Sequence, residues 1–224
     1  NYKGQIYKKT PAAKNWLPIH TNFNKHSMRT VFETTDGTVF LGYDHGLYKS
    51  TDKGKNWKHV HTGALVGHLA ELNDVLLGIS DRGIIRSTDN GENWAVVKTN
   101  APVAWDVKPI KSGFAAITAG SESGIRSLCT SYDAGKTWQP IDAGNKVFID
   151  SIWKTWDNRP SMKTFYTSIT RIGENFICVH PDGIFKSADK GKTWQLLLPA
   201  VKDKFFNLFG SGKVIYAIAG KGGC

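Results

Sequence analysis

One short pattern recurs along the chain, Ser-x-Asp-x-Gly-x-x-Trp, at residues 50–57, 87–94, 131–138 and 187–194. A worn copy at 9–16 keeps Trp16 but lacks the Asp and the Gly. The tryptophans at 16, 57, 94, 138 and 194 stand 41, 37, 44 and 56 residues apart. A period of about 40–45 residues marks stacked four-stranded units, each unable to bury its apolar faces alone. The repeat therefore limits the chain to an all-β array before any other property is considered.

Each copy sits between two short apolar segments, which reads as a β-hairpin closed by an Asp/Gly turn. Residues 47–49, 84–86 and 184–186 lead in, and 57–60, 94–97 and 194–197 lead out. The carboxylates of Asp52, Asp89, Asp133 and Asp189 can accept hydrogen bonds from backbone N–H groups of their own turns. Gly54, Gly91, Gly135 and Gly191 supply a positive φ without steric cost. Trp57, Trp94, Trp138 and Trp194 bury large rings against the hairpin. Every position thus has a structural task, and repetition in register favours structure over catalysis.

The pattern resembles the Asp-box, or BNR repeat. This repeat occurs in sialidases, xyloglucan-degrading glycoside hydrolases, sortilin-type receptors and photosystem II assembly factor-like proteins. That resemblance implies a β-propeller in which the box joins the third and fourth strands of a blade, away from the usual binding face. It implies little about activity, because functions in this group are mixed.

Two further strands fall between successive boxes. The pairs are 29–33 with 39–42 through Asp36-Gly37, 68–72 with 75–79 through Asn73-Asp74, 104–107 with 114–117 through Ser112-Gly113, 165–169 with 176–179, and 205–209 with 214–218. The chain starts on a third strand and ends after a second one. The expected architecture is one domain over 1–224, a five-bladed propeller of four-stranded antiparallel blades. The C-terminal pair would complete the blade begun by residues 4–19, removing exposed edges. A truncated larger propeller is the competing expectation.

A chain of 224 residues is ample for one core. No apolar run reaches the roughly 18 residues of a membrane span. No leader is visible, yet the chain opens mid-blade, which predicts a processed or trimmed start; the expected location is secreted or periplasmic. The net charge is +10, with Lys49, Lys53, Lys55, Lys58, Lys186, Lys190 and Lys192 gathered around the boxes. This reads as a soluble rim that discourages edge pairing, or as a surface for an acidic partner. No nucleic-acid motif is present. Cys129, Cys178 and Cys224 have no metal or redox spacing; Cys178 reads as a small core residue, and one bridge plus one thiol stays open. No motif calls for a cofactor or a metal, and a monomer is expected.

By the resemblance, a ligand would meet the loops joining second to third strands and those joining blades. The first set is 43–46 with Asp44 and His45, 80–83 with Asp81 and Arg82, 119–124, 180–183 with His180 and Asp182, and 221–223. Turn chemistry alone also accounts for these Asp residues. Arg29 and His68 lie near the same face. The longest link, 142–163, carries Phe148, Trp153, Trp156 and Arg159, a set suited to stacking on sugar or peptide. The alternative is that 148–153 is an inner strand with core tryptophans. The link 20–26 is a second polar candidate.

A sialidase needs an arginine triad, a Tyr–Glu nucleophile pair and an Asp acid. This chain has six arginines, at 29, 82, 86, 126, 159 and 171, and lacks the Arg-Ile-Pro start. The first reading is a non-enzymatic binding or scaffolding propeller that recognises a glycan or protein partner at its axial face. The second is a glycoside hydrolase-like enzyme with facing carboxylates drawn from Asp44, Asp81, Asp106, Asp150 and Asp182. The third, by analogy with the photosystem factor-like proteins, is an assembly scaffold whose basic surface matters.

Overall fold

Strands follow the apolar segments closely. A computed structural model describes residues 6–8, 14–19, 28–97, 103–119, 126–141, 168–180, 182–202, 204–211 and 214–221. Among them are twenty strands and no helix. The chain divides into two compact units, Asn1–Val96 and Val97–Cys224.

The first unit opens with a hairpin of β1 (Ile6–Lys8) and β2 (Leu17–Ile19). A four-stranded blade follows: β3 (Met28–Glu33), β4 (Val39–Tyr43), β5 (Gly46–Ser50) and β6 (Lys58–Thr62). The next blade is β7 (Val66–Leu72), β8 (Val75–Ser80), β9 (Gly83–Ser87) and β10 (Ala95–Val96). The second unit has a blade of β11 (Val103–Ile110), β12 (Gly113–Ala119), β13 (Arg126–Ser131) and β14 (Gln139–Pro140). Another follows: β15 (Ser168–Ile172), β16 (Asn175–His180), β17 (Gly183–Ser187) and β18 (Gln195–Pro199). It closes with a hairpin of β19 (Lys204–Ser211) and β20 (Val214–Lys221). Every sheet is antiparallel with strands in chain order. The described residues thus hold four complete blades and two hairpins.

The second strand of a blade is covered on both faces, so it reads as an unbroken apolar run rather than an alternation. β4 and β8 are buried throughout, whereas β3 alternates between half-buried and exposed. In the first unit Phe40 and Leu47 pack with Val66, Leu69, Leu76 and Ile85 of the next blade. Full burial of a ring such as Phe40 contributes about 2–3 kcal/mol. In the second unit Ile117 and Leu128 meet Ile169, Phe176 and Phe185, and Cys178 joins that core as expected. The inner face of the β19–β20 hairpin places Phe206 and Leu208 on Ile177, Val179 and Ile184. Cys129 and Cys178 are both buried thiols; Cys224 lies outside the described residues.

The box closes the third and fourth strands as the resemblance implies. In the first copy the Ser50 hydroxyl donates to Asp52 Oδ1 and accepts from the Gly54 N–H, each at 2.8 Å. Asp52 Oδ1 also accepts the N–H groups of Lys55 and Asn56 at 2.9 and 2.8 Å, and Oδ2 accepts the Asn56 amide at 2.7 Å. Asp89 repeats this with Asn93, and Asp133 and Asp189 use Thr137 and Thr193 hydroxyls at 2.6 Å. These bonds favour the charged form. Bonds from Asn56, then Ser50, hold Asp52 at about 2; Asn93 does the same for Asp89, and Thr193 for Asp189. For Asp133 the upward push of burial is outweighed by bonds from Thr137 and Ser131, again to about 2. The indole N–H of Trp94, Trp138 and Trp194 donates to the carbonyl of the box glycine at 3.0–3.2 Å. Trp57 Nε1 has no such partner among the described residues.

Several details differ from the expectation. Positive φ is needed at two successive box residues, the glycine and the one before it: Lys53, Asn90, Ala134 and Lys190 lie near +60°. The Asp36-Gly37 turn is a five-residue loop, 34–38, because Asp36 Oδ1 accepts from Thr34 Oγ1 and the Thr38 N–H. The β11–β12 turn is Lys111-Ser112, since Gly113 pairs with Ile110. Lys49 is not part of a solvated rim. It is 5% exposed and donates at 2.7 Å to the Asn90 carbonyl and to Glu92, both in the next blade's box. Trp16, in the worn copy, is 63% exposed.

Candidate functional site

A blade has two ends. One carries the box and the turn from first to second strand; the other carries the second-to-third turn, where the sequence expects a ligand. At that second end the innermost strand is irregular in three successive blades. β3 bulges between Met28 and Thr30, β7 between Val66 and Leu69, and β11 between Ala104 and Asp106. Each bulge adds one residue, which breaks alternation and re-aims a side chain. The residues it presents are Arg29, His68 and Trp105, all exposed. Arg29 and His68 were legible as candidates; Trp105 was not, because a bulge has no signature in a short apolar run.

In the first unit Arg29 Nε donates to Asp44 Oδ1 at 2.6 Å, joining the bulge to the β4–β5 turn. His45 occupies the same turn, and its carbonyl accepts the Gly63 N–H at 3.2 Å. The Gly63 carbonyl in turn accepts from Arg82 Nη2 at 2.9 Å. Gly63 thereby ties the β4–β5 turn to the β8–β9 turn that holds Asp81 and Arg82. Ser80 Oγ fixes that second turn by donating to the Gly83 carbonyl and accepting the Arg82 N–H. Beside them His59 stacks on Tyr48, with ring centroids 4.3 Å apart. Half-buried His61 is held below the usual histidine range by burial first, then by the charges of Arg82 and His59.

In the second unit the polar residues lie on inner strands. Lys108 of β11 sits 3.5 Å from Asp106 and donates at 3.4 Å to both Ser168 Oγ of β15 and the Leu208 carbonyl of β19. Ser168 Oγ also accepts the Leu208 N–H at 3.3 Å. One ammonium thus links the innermost strands of two blades and the closing hairpin. Nothing in the sequence marked Lys108 or Ser168, since both look like ordinary strand residues. His180 ends β16 and is 6% exposed; its Nδ1 accepts the Asp182 N–H at 3.2 Å, and its ring meets Phe185 edge-on. Burial pushes His180 below the usual histidine range, against the pull of Asp182.

Trp153, Trp156 and Arg159 lie outside the described residues, as do Phe148, Asp150 and the link 20–26. No group of three or more metal-ligating side chains occurs among the described residues. No helix there is long and apolar enough to cross a membrane.

The described residues hold four-stranded antiparallel blades whose third and fourth strands are joined by the Ser-x-Asp-x-Gly-x-x-Trp turn, an arrangement of the β-propeller type. Residues 1–107 match the family described as DUF6242 beta propeller domain. The chain is similar to YCF48 from Cyanidioschyzon merolae at 16% identity and a TM-score of 0.59, over 86% of this chain and 64% of that one. It is similar to an ancestral GH74 enzyme at 13% identity and a TM-score of 0.62, over 91% of this chain and 30% of that one. It also resembles a chain of the nidogen/laminin complex at 11% identity and a TM-score of 0.56, over 90% and 75%. The chain therefore spans about two thirds of YCF48 and under a third of the GH74 enzyme. At these identities the likeness is one of fold. No curated protein matches the chain significantly.

Proposed function

We propose that this chain is a non-catalytic binding or scaffolding propeller that takes a glycan or protein partner at the second-to-third-turn end of its blades. The observation that carries the reading is the repeated bulge of the innermost strand, which turns Arg29, His68 and Trp105 outward at the same end. A cation, an imidazole and an indole are suited to polar and stacking contacts with a partner, and acidic groups on that partner would suit Arg29. Two of the carboxylates nearby are paired with cations: Asp44 with Arg29 and Asp106 with Lys108. A carboxylate held in its charged form by a cation suits recognition better than proton donation. The carboxylates whose titration is clearly displaced, in the boxes and at Asp36, Glu92 and Glu174, are all displaced downward, away from a general acid's need.

The expected count of five blades goes with this reading: the described residues hold four complete blades and two further hairpins. A secreted or periplasmic site of action goes with the reading and is checked by fractionation. Trp153, Trp156 and Arg159 on the long link would extend the same surface. The test is a thermal-shift screen of oligosaccharides and anionic polysaccharides, with pull-down of protein partners, on the wild type and on Trp105→Ala with Arg29→Ala. A ligand at a hundred times its Kd stabilises by about 2.7 kcal/mol. Stabilisation retained in the double variant would sink the placement.

A further inference from the structure

We propose that the opposite end of the second unit's two blades holds a binding site for a small carboxylate-bearing ligand, built on Arg171 and Lys111. Pro109, Ile110, Lys111, Arg171 and Gly173 line a shallow, open depression of about 340 Å³ where the β11–β12 and β15–β16 turns come together. That volume is at the lower end of small-ligand pockets, which run from about 300 Å³. Its wall combines the apolar surface of Pro109 and Ile110 with two cations, the combination that a sugar acid or an amino acid needs.

Arg171 is built in rather than solvated. Its side chain is 11% exposed, and the guanidinium lies over the Phe176 ring, 5.8 Å from the centroid. Its Nε is buried with no partner among the described residues, a donor whose desolvation is uncompensated. Nη2 donates to Glu174 Oε2 at 2.6 Å, and Lys111 Nζ reaches Glu174 Oε1 at 3.1 Å. The two cations are thus already spaced to bridge the two oxygens of one carboxylate. The carboxylate that fills the place is a poor permanent occupant. Glu174 sits at the tip of the Gly173-Glu174 turn and is 61% exposed, so it can swing into water at little cost. The charges of Arg171, Lys111 and Lys190 all act on it, so the turn end keeps an excess of positive charge when Glu174 leaves. An incoming carboxylate would replace Glu174 between Lys111 and Arg171, whose planar fork matches carboxylate geometry. This site is independent of the surface proposed above, because it uses the other end of the blades and none of the same residues.

The experiment titrates the full chain with D-glucuronate, L-glutamate and D-glucose, followed by NMR or calorimetry. Binding of a carboxylate but not of glucose is expected. Binding of glucuronate alone assigns a sugar acid, and binding of glutamate alone an amino-acid carboxylate. Glu174→Gln removes the internal competitor and is expected to tighten binding about fivefold, the scale of one exposed ion pair. Arg171→Lys keeps the charge, loses the fork and is expected to abolish binding. No carboxylate binding, equal binding of glucose, or unchanged affinity in Glu174→Gln would overturn the proposal. Glu174 is exposed, so that last variant keeps the fold and the test decisive.

Discussion

The two ends of a blade use the same residue types for opposite purposes. At the box end an aspartate takes nearly all its hydrogen bonds from its own turn: Asp52 from Ser50, Lys55 and Asn56. At the other end an aspartate takes a partner from elsewhere in the blade, as Asp44 does from Arg29, fifteen residues away. A turn that satisfies itself is rigid and has nothing left to offer. A turn whose charge is matched by an exposed cation can exchange that partner for a ligand. The Asp/Gly composition alone does not separate the two cases; the source of the hydrogen bonds does.

The comparison breaks most visibly at Gly91. A Cβ there would lie 2.4 Å from Phe40 Cζ, at φ +76°. Gly91→Ala is expected to destabilise the chain by about 3 kcal/mol, from the left-handed backbone and the overpacked ring together. Gly173→Ala, also at positive φ but with nothing within 4 Å, should cost about 1 kcal/mol. Urea melts of both variants measure the difference, and equal losses would remove the inter-blade contact from the account.

Acid should separate the ends next. The box aspartates have folded values near 2 against an ordinary 3.8. Their contribution is present above about pH 4 and lost as pH falls from there towards 2. His180 and His61 are displaced below 6.5. The unfolded chain therefore takes up their protons first, and stability declines as pH drops below 6.5. Stability curves from pH 8 to 2 are expected to show a first decline reduced by His180→Gln and abolished when His61→Gln is added, and a second, steeper one from the boxes. A single decline would contradict the assignment.

Smaller effects sharpen the contrast. Asp133→Ala is expected to cost about 1 kcal/mol, since water replaces part of what the exposed carboxylate loses. Arg29→Ala should change stability by less than about 0.5 kcal/mol, because Arg29 is an exposed partner, while weakening any ligand bound at that end. Denaturation and binding measured side by side test both.

The blades were legible because the box repeats in register and second strands such as 39–43 are unbroken apolar runs. What was not legible depended on contacts between strands far apart in sequence. Trp105 is exposed only because β11 bulges beside it. Lys108 matters only because β15 and β19 bring Ser168 and the Leu208 carbonyl to it. Lys49 reads as a surface residue of its own box, yet it belongs to the next one. Arg171 carried no motif at all; burial and the neighbouring turn give it its place.

The placement of Lys49 also governs how the first unit comes apart. Its ammonium is covered by Asn90 and Glu92, so peeling the second blade away would break both bonds at once and uncover Phe40 and Leu47 with them. Neighbouring repeats linked in this way should open together rather than fray one at a time. In native-state hydrogen exchange, the amides of 46–50 and 87–94 would then share one opening free energy, and Lys49→Met would let the two segments exchange independently.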